Sequence, residues 1–574
     1  MSYMEEYKKW LTSSALSAQE RAELEAIADD EKEIESRFFA PLSFGTAGLR
    51  GVLGMGINRM NVYTVRQATQ GMASLIKGLG KDACERGVAI AMDCRIMSDV
   101  FAREAACVLA GNGIKVYLFE SLRPTPELSF AIRTIGCIAG INITASHNPK
   151  EYNGYKAYWE DGAQLPPAHA DVVAKAIAET DIFAGITSMD YDKALNKGII
   201  TLIGEEVDES FLFHAQEMAI NREEVLKAAE NFKIVYTPFH GTGHELVPEI
   251  LRRCGLKHII CVPEQMVIDG SFPTVKSPNP ENKEGFTKAI ELARENDVAL
   301  IIGTDPDADR VGVIVRDGAG EYVPISGNQM GVLLLDYIIR AKKMTGTMPE
   351  HPAAIKTIVT TEMVRRVGEV HGVEVFDTFT GFKFMAEKIK SFEETGSYEY
   401  LLAFEESYGY LVGGYCRDKD AVTASMLIAE MAAYYHNRGK TLYDALCGLY
   451  EEYGYFSEHT ENIVMPGVDG LSRMKELMES LRKNPPREIS GVRVLRVRDY
   501  LSGEIIDLGN NLTENMELSG SNVLYFELED KTAFIIRPSG TEPKIKVYIL
   551  ASGESAEECA RKVEGYVKAA KELK

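Results

Sequence analysis

Val88-Ala-Ile-Ala-Met92, a polar loop Asp93–Asp99, a helix-patterned stretch Val100–Ala110, Gly113 and Ile114-Lys-Val-Tyr-Leu-Phe119 together decide the fold class. The two outer runs are short and apolar, as strands buried on both faces must be. The same order returns at Lys233-Ile-Val-Tyr236, with a Gly-containing loop, a helix through Arg253, Gly255 and His258-Ile-Ile-Cys-Val262. It returns again at Ala354-Ile-Lys-Thr-Ile-Val359, with a helix through Val370, Gly372 and Val373-Glu-Val-Phe376. Strand, loop, helix, glycine, strand is the pattern of two parallel strands whose crossover helix covers the sheet. Three copies predict three related α/β domains, each glycine ending its helix before the next strand. The spacings differ between copies, so this is a divergent domain repeat and not a solenoid.

The flanks differ from this core. The first forty residues read as helices, with Ala18–Phe39 carrying apolar residues at helical spacing. Val492–Val497, Val523–Leu528, Ala533–Ile536 and Ile545–Leu550 read as strands, followed by a helix over Ser555–Lys574, which predicts a small α+β domain. Val468–Arg487, containing Asn484-Pro-Pro-Arg487, is the best candidate for a linker or insert. The expected division is residues 1–205 for the N-terminal helices and first α/β domain, 206–324 for the second, 325–465 for the third, and 466–574 for the linker and last domain. A length of 574 residues agrees with about four domains.

Composition excludes several classes. The net charge of −22 argues against a general nucleic-acid or anionic-membrane binder, because both need a basic surface. With 45% hydrophobic residues there is enough apolar material for several cores, which rules out disorder over most of the chain. No apolar run reaches the roughly 18 residues of a membrane-spanning helix. The N-terminus has no apolar stretch behind a basic start, so no secretory signal is expected. Nine scattered cysteines without Cys-x-x-Cys form neither a disulfide framework nor a zinc site, and buried thiols in a reducing cytoplasm are expected.

Four stretches carry chemistry. In Thr144-Ala-Ser-His-Asn-Pro-Lys-Glu-Tyr-Asn-Gly-Tyr-Lys156, a buried strand Cys137–Ile143 runs into a sharp polar turn at Asn148-Pro149. That puts Ser146 at a strand end, where parallel sheets meet ligands, with His147 beside it and Lys156 close. A turn or capping serine is the plainer alternative. In Ile301-Ile-Gly-Thr-Asp-Pro-Asp-Ala-Asp-Arg310, Asp305, Asp307 and Asp309 alternate after an apolar run. So much like charge needs a cation or solvent, and alternate carboxylates suit a hard ion such as Mg²⁺. It is not an EF-hand, since Arg310 and Arg316 stand at the sixth and twelfth positions. In Ile536-Arg-Pro-Ser-Gly-Thr-Glu-Pro-Lys-Ile-Lys546, Arg537 can grip an anion, Ser539 and Thr541 add hydroxyls, and Gly540 lets backbone N–H groups approach a phosphate. Leu402-Ala-Phe-Glu-Glu-Ser-Tyr-Gly-Tyr410 and Cys416-Arg-Asp-Lys-Asp420 bring carboxylate, hydroxyl and the cations Arg417 and Lys419 to strand ends. Shorter loops carry Arg50 in Phe44-Gly-Thr-Ala-Gly-Leu-Arg-Gly51 and Lys383 in Thr380-Gly-Phe-Lys383. His240-Gly-Thr-Gly-His244 is rejected as a metal site, because no Glu follows the first His and the glycines suit a strand-to-helix turn.

Taken in order, Gly-Leu-Arg-Gly, Thr-Ala-Ser-His-Asn-Pro, Asp-Pro-Asp-Ala-Asp-Arg, Glu-Glu-Ser and Arg-Pro-Ser-Gly-Thr resemble the loops of the α-D-phosphohexomutase superfamily from Phe44 to Tyr548. The likeness is greatest to the branch that holds phosphoglucomutases and phosphopentomutases, where Phe-Glu-Glu replaces the more widespread Gly-Glu-Glu. Phe404 is that departure here. The resemblance implies four domains around a central cleft, three α/β and a mobile phosphate-binding fourth. It implies that Ser146 carries a phosphoryl group, and that this phosphate with Asp305, Asp307 and Asp309 holds Mg²⁺. It further implies that Glu405 and Ser407 read sugar hydroxyls and that Arg537, Ser539, Gly540 and Thr541 hold the phosphate that is not reacting. Arg50, His147, Lys156, Arg310, Thr380, Gly381, Lys383, Arg417 and Lys419 would line the cleft, with Lys156, His147 and Lys419 as candidate acid/base groups and Arg50 stabilising.

The activity so implied is interconversion of glucose 1-phosphate and glucose 6-phosphate through glucose 1,6-bisphosphate, which also serves as activator. Its ligands are small sugar phosphates, with no nucleic acid or membrane and no protein partner inferable. A phosphopentomutase acting on ribose or deoxyribose 1-phosphate is the nearest alternative, with the surroundings of Phe404, Tyr408 and Thr380 as the discriminating feature. A phosphomannomutase, a sugar-phosphate phosphatase and a non-catalytic sugar-phosphate sensor stand further off.

Overall fold

Each repeated pattern folds as parallel strands joined through a helix. In the computed structural model, which describes residues 2–46, 48–465, 470–510, 512–539 and 544–573, the first sheet contains β1 (Leu49–Val52), β2 (Val88–Met92), β3 (Val116–Phe119), β4 (Ala139–Ile143), β5 (Tyr152–Trp159) and β6 (Ile200–Ile203). Its order is β1-β5-β4-β2-β3-β6, with β4, β2, β3 and β6 parallel, β5 antiparallel to β4, and β1 at the edge antiparallel to β5. The second sheet contains β7 (Lys233–Thr237), β8 (His258–Cys261), β9 (Leu300–Thr304), β10 (Val311–Arg316) and β11 (Tyr322–Ile325) in the order β11-β10-β9-β7-β8. In the third, β12 (Pro352–Thr357) lies parallel between β13 (Glu374–Thr378) and β14 (Glu399–Glu405). Gly113, Gly255 and Gly372 all take positive φ, as a chain turning off a helix into a strand requires.

The last sheet is antiparallel. Its strands run in the order Tyr455–Val464, Lys544–Gly553, Ala533–Pro538, Leu524–Leu528, Val492–Asp499, Glu504–Asp507 and Leu512–Asn515. Tyr566 and Ala570 of the terminal helix Ala556–Lys571 join its core with Phe526, Phe534, Val547 and Ile549. The segment expected to be a linker is instead a helix, Gly470–Lys483, whose Met474 and Met478 enter the same core. Its apolar residues recur at helical spacing, and Asn484-Pro-Pro-Arg487 only ends it. The N-terminal stretch is also more broken than its composition predicts. Helices Ala18–Glu25 and Glu31–Phe38 are separated by a turn, and Asp30 caps the second by accepting the Glu33 N–H at 3.1 Å.

The chain forms two compact units, Met1–Ile325 with Tyr408–Thr441, and Ser326–Ser407 with Leu442–Lys574. The cysteines are unpaired; Cys137, Cys254, Cys416 and Cys559 are buried, whereas Cys447 is exposed against expectation. Among the described residues no helix is long and apolar enough to cross a membrane.

Candidate active site

In the first unit, β4 delivers Ser146 to the carboxyl end of the first sheet. Ser146 is 4% exposed and takes φ of 52°, a left-handed conformation a non-glycine residue holds only when its surroundings enforce it. Those surroundings are specific. Thr144 Oγ1 accepts the Ser146 N–H at 2.8 Å. Arg95, with a fully buried side chain, donates to the carbonyls of Ser146 (2.5 Å), Pro149 (2.9 Å) and Tyr152 (3.0 Å), and also to that of Asn148. Asp93 lies 3.3 Å from the same guanidinium, and Phe272 stacks on it at 5.1 Å. No sequence motif singles out Arg95. It sits in what reads as a plain polar loop, and only the fold brings that loop beneath the serine turn.

Ser146 Oγ donates to Asp305 Oδ2 at 2.8 Å and lies 3.1 Å from His147 Nδ1. Asp305, Asp307 and Asp309 belong to the short turn between the antiparallel neighbours β9 and β10. Asp305 Oδ1 ties the turn by accepting the backbone N–H groups of Asp309 (3.1 Å) and Arg310 (3.0 Å). The glycines of His240-Gly-Thr-Gly-His244 have their use here: a Cβ on Gly241 would overlap the Pro306 backbone, and Thr242 N–H donates to the Pro306 carbonyl at 2.8 Å. His240 is spent on the Val267 carbonyl (2.7 Å) and Thr274 Oγ1 (2.9 Å), in keeping with rejection of a metal role.

Two lysines face this turn. Lys156 sits on β5 opposite Asn142 of β4, and its Nζ lies 2.6 Å from Asp307 Oδ2 and 3.2 Å from Asp309 Oδ2. Lys419 Nζ lies 3.2 Å from Asp309 Oδ2 and 2.9 Å from Asp418 Oδ1, while Tyr158 OH holds Asp418 Oδ2 at 2.9 Å. Thr125 donates to Asp307 Oδ2 at 2.7 Å. Burial drives the Asp305 carboxyl well above the ordinary range, reinforced by Asp307 and Asp309. Burial pushes Asp307 the same way, but Lys156 overcomes it and holds Asp307 below that range. Asp309 is also lowered, Lys156 and Lys419 outweighing burial and Asp307.

The three aspartates are buried, and one oxygen of each lies within 4.8 Å of the others. Asp307 Oδ1 and Asp309 Oδ1 accept no hydrogen bond. Buried carboxylate oxygens left without donors, in an all-oxygen set, fit a hard divalent cation. Arg50, on β1 opposite Gly154 of β5, is exposed and donates to Asn148 Oδ1 at 2.8 Å. Arg310 pairs with Glu281 at 3.0 Å. Arg417 is 2% exposed and donates to the carbonyls of Gly414 (3.1 Å) and Cys416 (3.2 Å), so part of its guanidinium holds its own loop.

In the second unit, Glu405 ends β14. Its Oε1 accepts the Gly381 N–H at 2.8 Å, and Ser407 Oγ lies 3.5 Å from its Oε2. Thr380 and Gly381 follow β13, and Lys383 stands in the first turn of helix Phe382–Thr395 with its ammonium 4.8 Å from the Phe384 ring. Phe404 faces the core of the third domain. It is fully buried against Gly331 of helix Gly327–Thr345, where any Cβ would overlap its ring. Arg537 closes strand Ala533–Pro538, with its guanidinium 6.0 Å from the Tyr548 ring, and the Ser539 N–H donates to the Lys544 carbonyl at 2.9 Å. Gly540 and Thr541 lie outside the described residues.

Three α/β sheets in succession, followed by a sheet-rich fourth domain, make the architecture of the α-D-phosphohexomutases. The family models described as "Phosphoglucomutase/phosphomannomutase, alpha/beta/alpha domain" I, II and III match residues 41–182, 210–318 and 326–453. The chain belongs to the phosphoglucomutase/phosphomannomutase family, and is an isomerase of the intramolecular phosphotransferase kind. It is 37% identical over 536 residues to a phosphoglucomutase of Staphylococcus saprophyticus, covering 93% of this chain and 95% of that one. It is 35% identical over 547 residues to a phosphoglucomutase of Staphylococcus aureus, covering 94% and 95%. Among solved structures, its fold is similar to the open form of pp63/parafusin from Paramecium (TM-score 0.66, 17% identity, 93% and 96% covered). It is also similar to a family protein from Burkholderia thailandensis (TM-score 0.63, 17% identity, 93% and 97% covered).

Proposed function

We propose that the protein interconverts glucose 1-phosphate and glucose 6-phosphate through a phosphoserine at Ser146 and a glucose 1,6-bisphosphate intermediate. The observation that carries this reading is the buried Ser146 hydroxyl, 2.8 Å from Asp305 within a carboxylate set that keeps two undonated oxygens. Curated relatives named phosphoglucomutase, 35–37% identical over most of the chain, support it.

Asp305, Asp307 and Asp309 would hold Mg²⁺ together with an oxygen of the Ser146 phosphate. Bound there, Mg²⁺ supplies positive charge that offsets the transferring phosphoryl group. The protein's own groups do the rest. In the first half-reaction the P–O bond to Ser146 breaks as a P–O bond to the free sugar hydroxyl forms, and the proton that hydroxyl loses is made up at the departing Ser146 Oγ. His147 serves the serine side of the transfer: its Nδ1 lies 3.1 Å from Ser146 Oγ, placed to take the Oγ proton when that oxygen attacks the bisphosphate. Burial, with Arg310 and Arg50, keeps the His147 pKa well below the usual value. Lys156 is held charged by Asp307 and Asp309 against its burial, and supplies charge instead of accepting a proton. The bisphosphate then turns over. Its other phosphoryl group moves to Ser146 Oγ, and the proton returns to the oxygen it leaves.

Glu405 and Ser407 read the sugar hydroxyls. Arg537, Ser539, Gly540 and Thr541 hold the phosphate that is not reacting, and Arg50, Arg310, Thr380, Gly381, Lys383, Arg417 and Lys419 complete the binding set. A cytoplasmic enzyme of hexose phosphate metabolism is the corresponding cellular reading. Phe404 is itself fully buried, and the surroundings of Phe404, Tyr408 and Thr380 stay the feature that separates the pentose alternative.

The test is a mutase assay with Mg²⁺ and a trace of glucose 1,6-bisphosphate, comparing glucose 1-phosphate with ribose and deoxyribose 1-phosphate while following inorganic phosphate. A much higher kcat/KM on glucose 1-phosphate is expected. A pentose preference, or phosphate release without isomerisation, would overturn the reading.

A further inference from the structure

Beneath the Glu405-Glu406-Ser407 turn lies a buried polar assembly with no part in phosphoryl transfer. Lys356 is fully buried in the central strand of the third sheet, paired in register with Asp377 of β13 and Phe404 of β14. Burying an ammonium is unfavourable unless acceptors surround it. Here Nζ lies 2.9 Å from Glu362 Oε1 and 3.1 Å from Asp377 Oδ1, and donates to the carbonyls of Thr357 (3.3 Å) and Thr360 (3.2 Å). Those two carbonyls fix the turn that follows β12. The hydroxyls of the same threonines, both fully buried, face Glu406. Thr357 Oγ1 lies 3.2 Å and Thr360 Oγ1 3.3 Å from Glu406 Oε2, and the two hydroxyls are 2.8 Å apart.

That triangle has three edges and only two hydroxyl protons. A Thr hydroxyl carries one proton, and a carboxylate only accepts. In every arrangement that uses both protons within the triangle, at least one of them reaches Glu406. The Val359 N–H occupies an acceptor site on Thr357 Oγ1 at 3.3 Å, which leaves the Thr357 proton to point away toward Glu406 or Thr360. The sugar turn is therefore held from two sides. The Gly381 N–H grips Glu405 from the loop after β13, and the threonine pair grips Glu406 from the turn after β12.

We propose that Thr357 and Thr360, anchored by Lys356, are positioning residues for sugar recognition, acting through Glu406 to fix the turn that presents Glu405 and Ser407 to the substrate. The proposal rests on the glucose-phosphate reading above. It assigns to Glu406, which touches no sugar in this scheme, the task of aiming its two neighbours.

Three variants test it with glucose 1-phosphate kinetics: the pair Thr357→Val with Thr360→Val, the pair Thr357→Ser with Thr360→Ser, and Glu406→Gln. Valine keeps the shape and removes the proton donor, whereas serine keeps the donor. The valine pair is expected to raise KM about tenfold, the scale of a lost hydrogen bond to a charged group, with kcat within about twofold. The serine pair should stay within about twofold of wild type in both constants, since its donor survives. Glu406→Gln, which retains an acceptor, should give a smaller rise in KM than the valine pair. A valine pair that folds with unchanged KM, or a serine pair as impaired as the valine pair, would overturn the proposal. If circular dichroism shows the valine pair unfolded, Thr360→Val alone decides, and an unchanged KM there is equally contradictory. Wild-type protein that leaves glucose 1-phosphate unconverted overturns the function reading and this proposal together; active wild type with indifferent variants overturns this proposal alone.

Discussion

Ser146 and Asp305 meet through a hydrogen bond of 2.8 Å, although 159 positions separate them and each lies in the loop that follows a strand of a different sheet. The first sheet supplies a buried hydroxyl in a strained left-handed turn; the second supplies a carboxylate whose burial and acidic neighbours raise its pKa. Neither residue is remarkable for its type. Their convergence in a site that also keeps undonated carboxylate oxygens is what makes phosphoryl transfer the reading to test.

Asp307→Asn should weaken Mg²⁺ binding at least about tenfold and depress turnover with it, because an amide oxygen carries no net charge to a hard cation. Calorimetric titration of the protein with Mg²⁺, with no substrate present, reads the first effect separately from catalysis. Unchanged affinity in the variant would count against the carboxylate set as the metal site.

Arg95→Lys should lower kcat more than it raises KM. A lysine has no planar fork and cannot reach four carbonyls at once, so the serine turn loses its enforced geometry. Buried Asp93 would also lose most of its partner, and a stability loss of about 3 kcal/mol is expected. Urea unfolding together with steady-state kinetics checks both; a variant with wild-type kcat would show that the clamp does not set the geometry of Ser146.

Phe404→Ala should cost about 3–5 kcal/mol of stability, the range for a deleted core phenylalanine, without changing the ratio of kcat/KM between glucose 1-phosphate and ribose 1-phosphate. The ring fills the space opposite Gly331. A shift in that ratio would mean that the ring does touch the sugar.

The contrast between Phe404 and Lys156 shows what the sequence made legible. Strand-helix-strand periodicity, and loops at strand ends, depend on local patterns, so the three α/β repeats and most loop residues were readable before any fold was known. Lys156 follows from its motif because the β4–β5 hairpin brings it back opposite Asn142, on the strand that leads into the Ser146 turn. Phe404 sits in an equally diagnostic motif, but its direction depends on Gly331 in a distant helix, which no local pattern reports. Arg95, Thr125 and Tyr158 were missed for the same reason: each meets its partner through tertiary packing. Helix Gly470–Lys483 is masked in the sequence by the proline pair that ends it, which has the composition of a linker.

Glu458 gives a pH dependence with a defined sign. Burial pushes its carboxyl up to about 7. An acid whose folded pKa exceeds its unfolded value binds more protons when folded, so its contribution to stability falls as pH rises from the ordinary glutamate value through about 7 and is then constant. Glu458→Gln removes the ionisation. The variant should melt at a higher temperature than wild type at about pH 8 and close to it at about pH 5. Differential scanning calorimetry at the two values decides, and an equal difference at both would show that Glu458 titrates normally.

The most direct test of the central claim is phosphorylation of the protein itself. Incubated with glucose 1,6-bisphosphate and Mg²⁺, wild-type protein should take up one phosphate per chain, mapped by tandem mass spectrometry to Ser146, and should pass it to added glucose 1-phosphate. Ser146→Ala should take up none and lose turnover by ~10³-fold or more while keeping its fold. Phosphate on another residue, or full turnover in the alanine variant, would contradict the account.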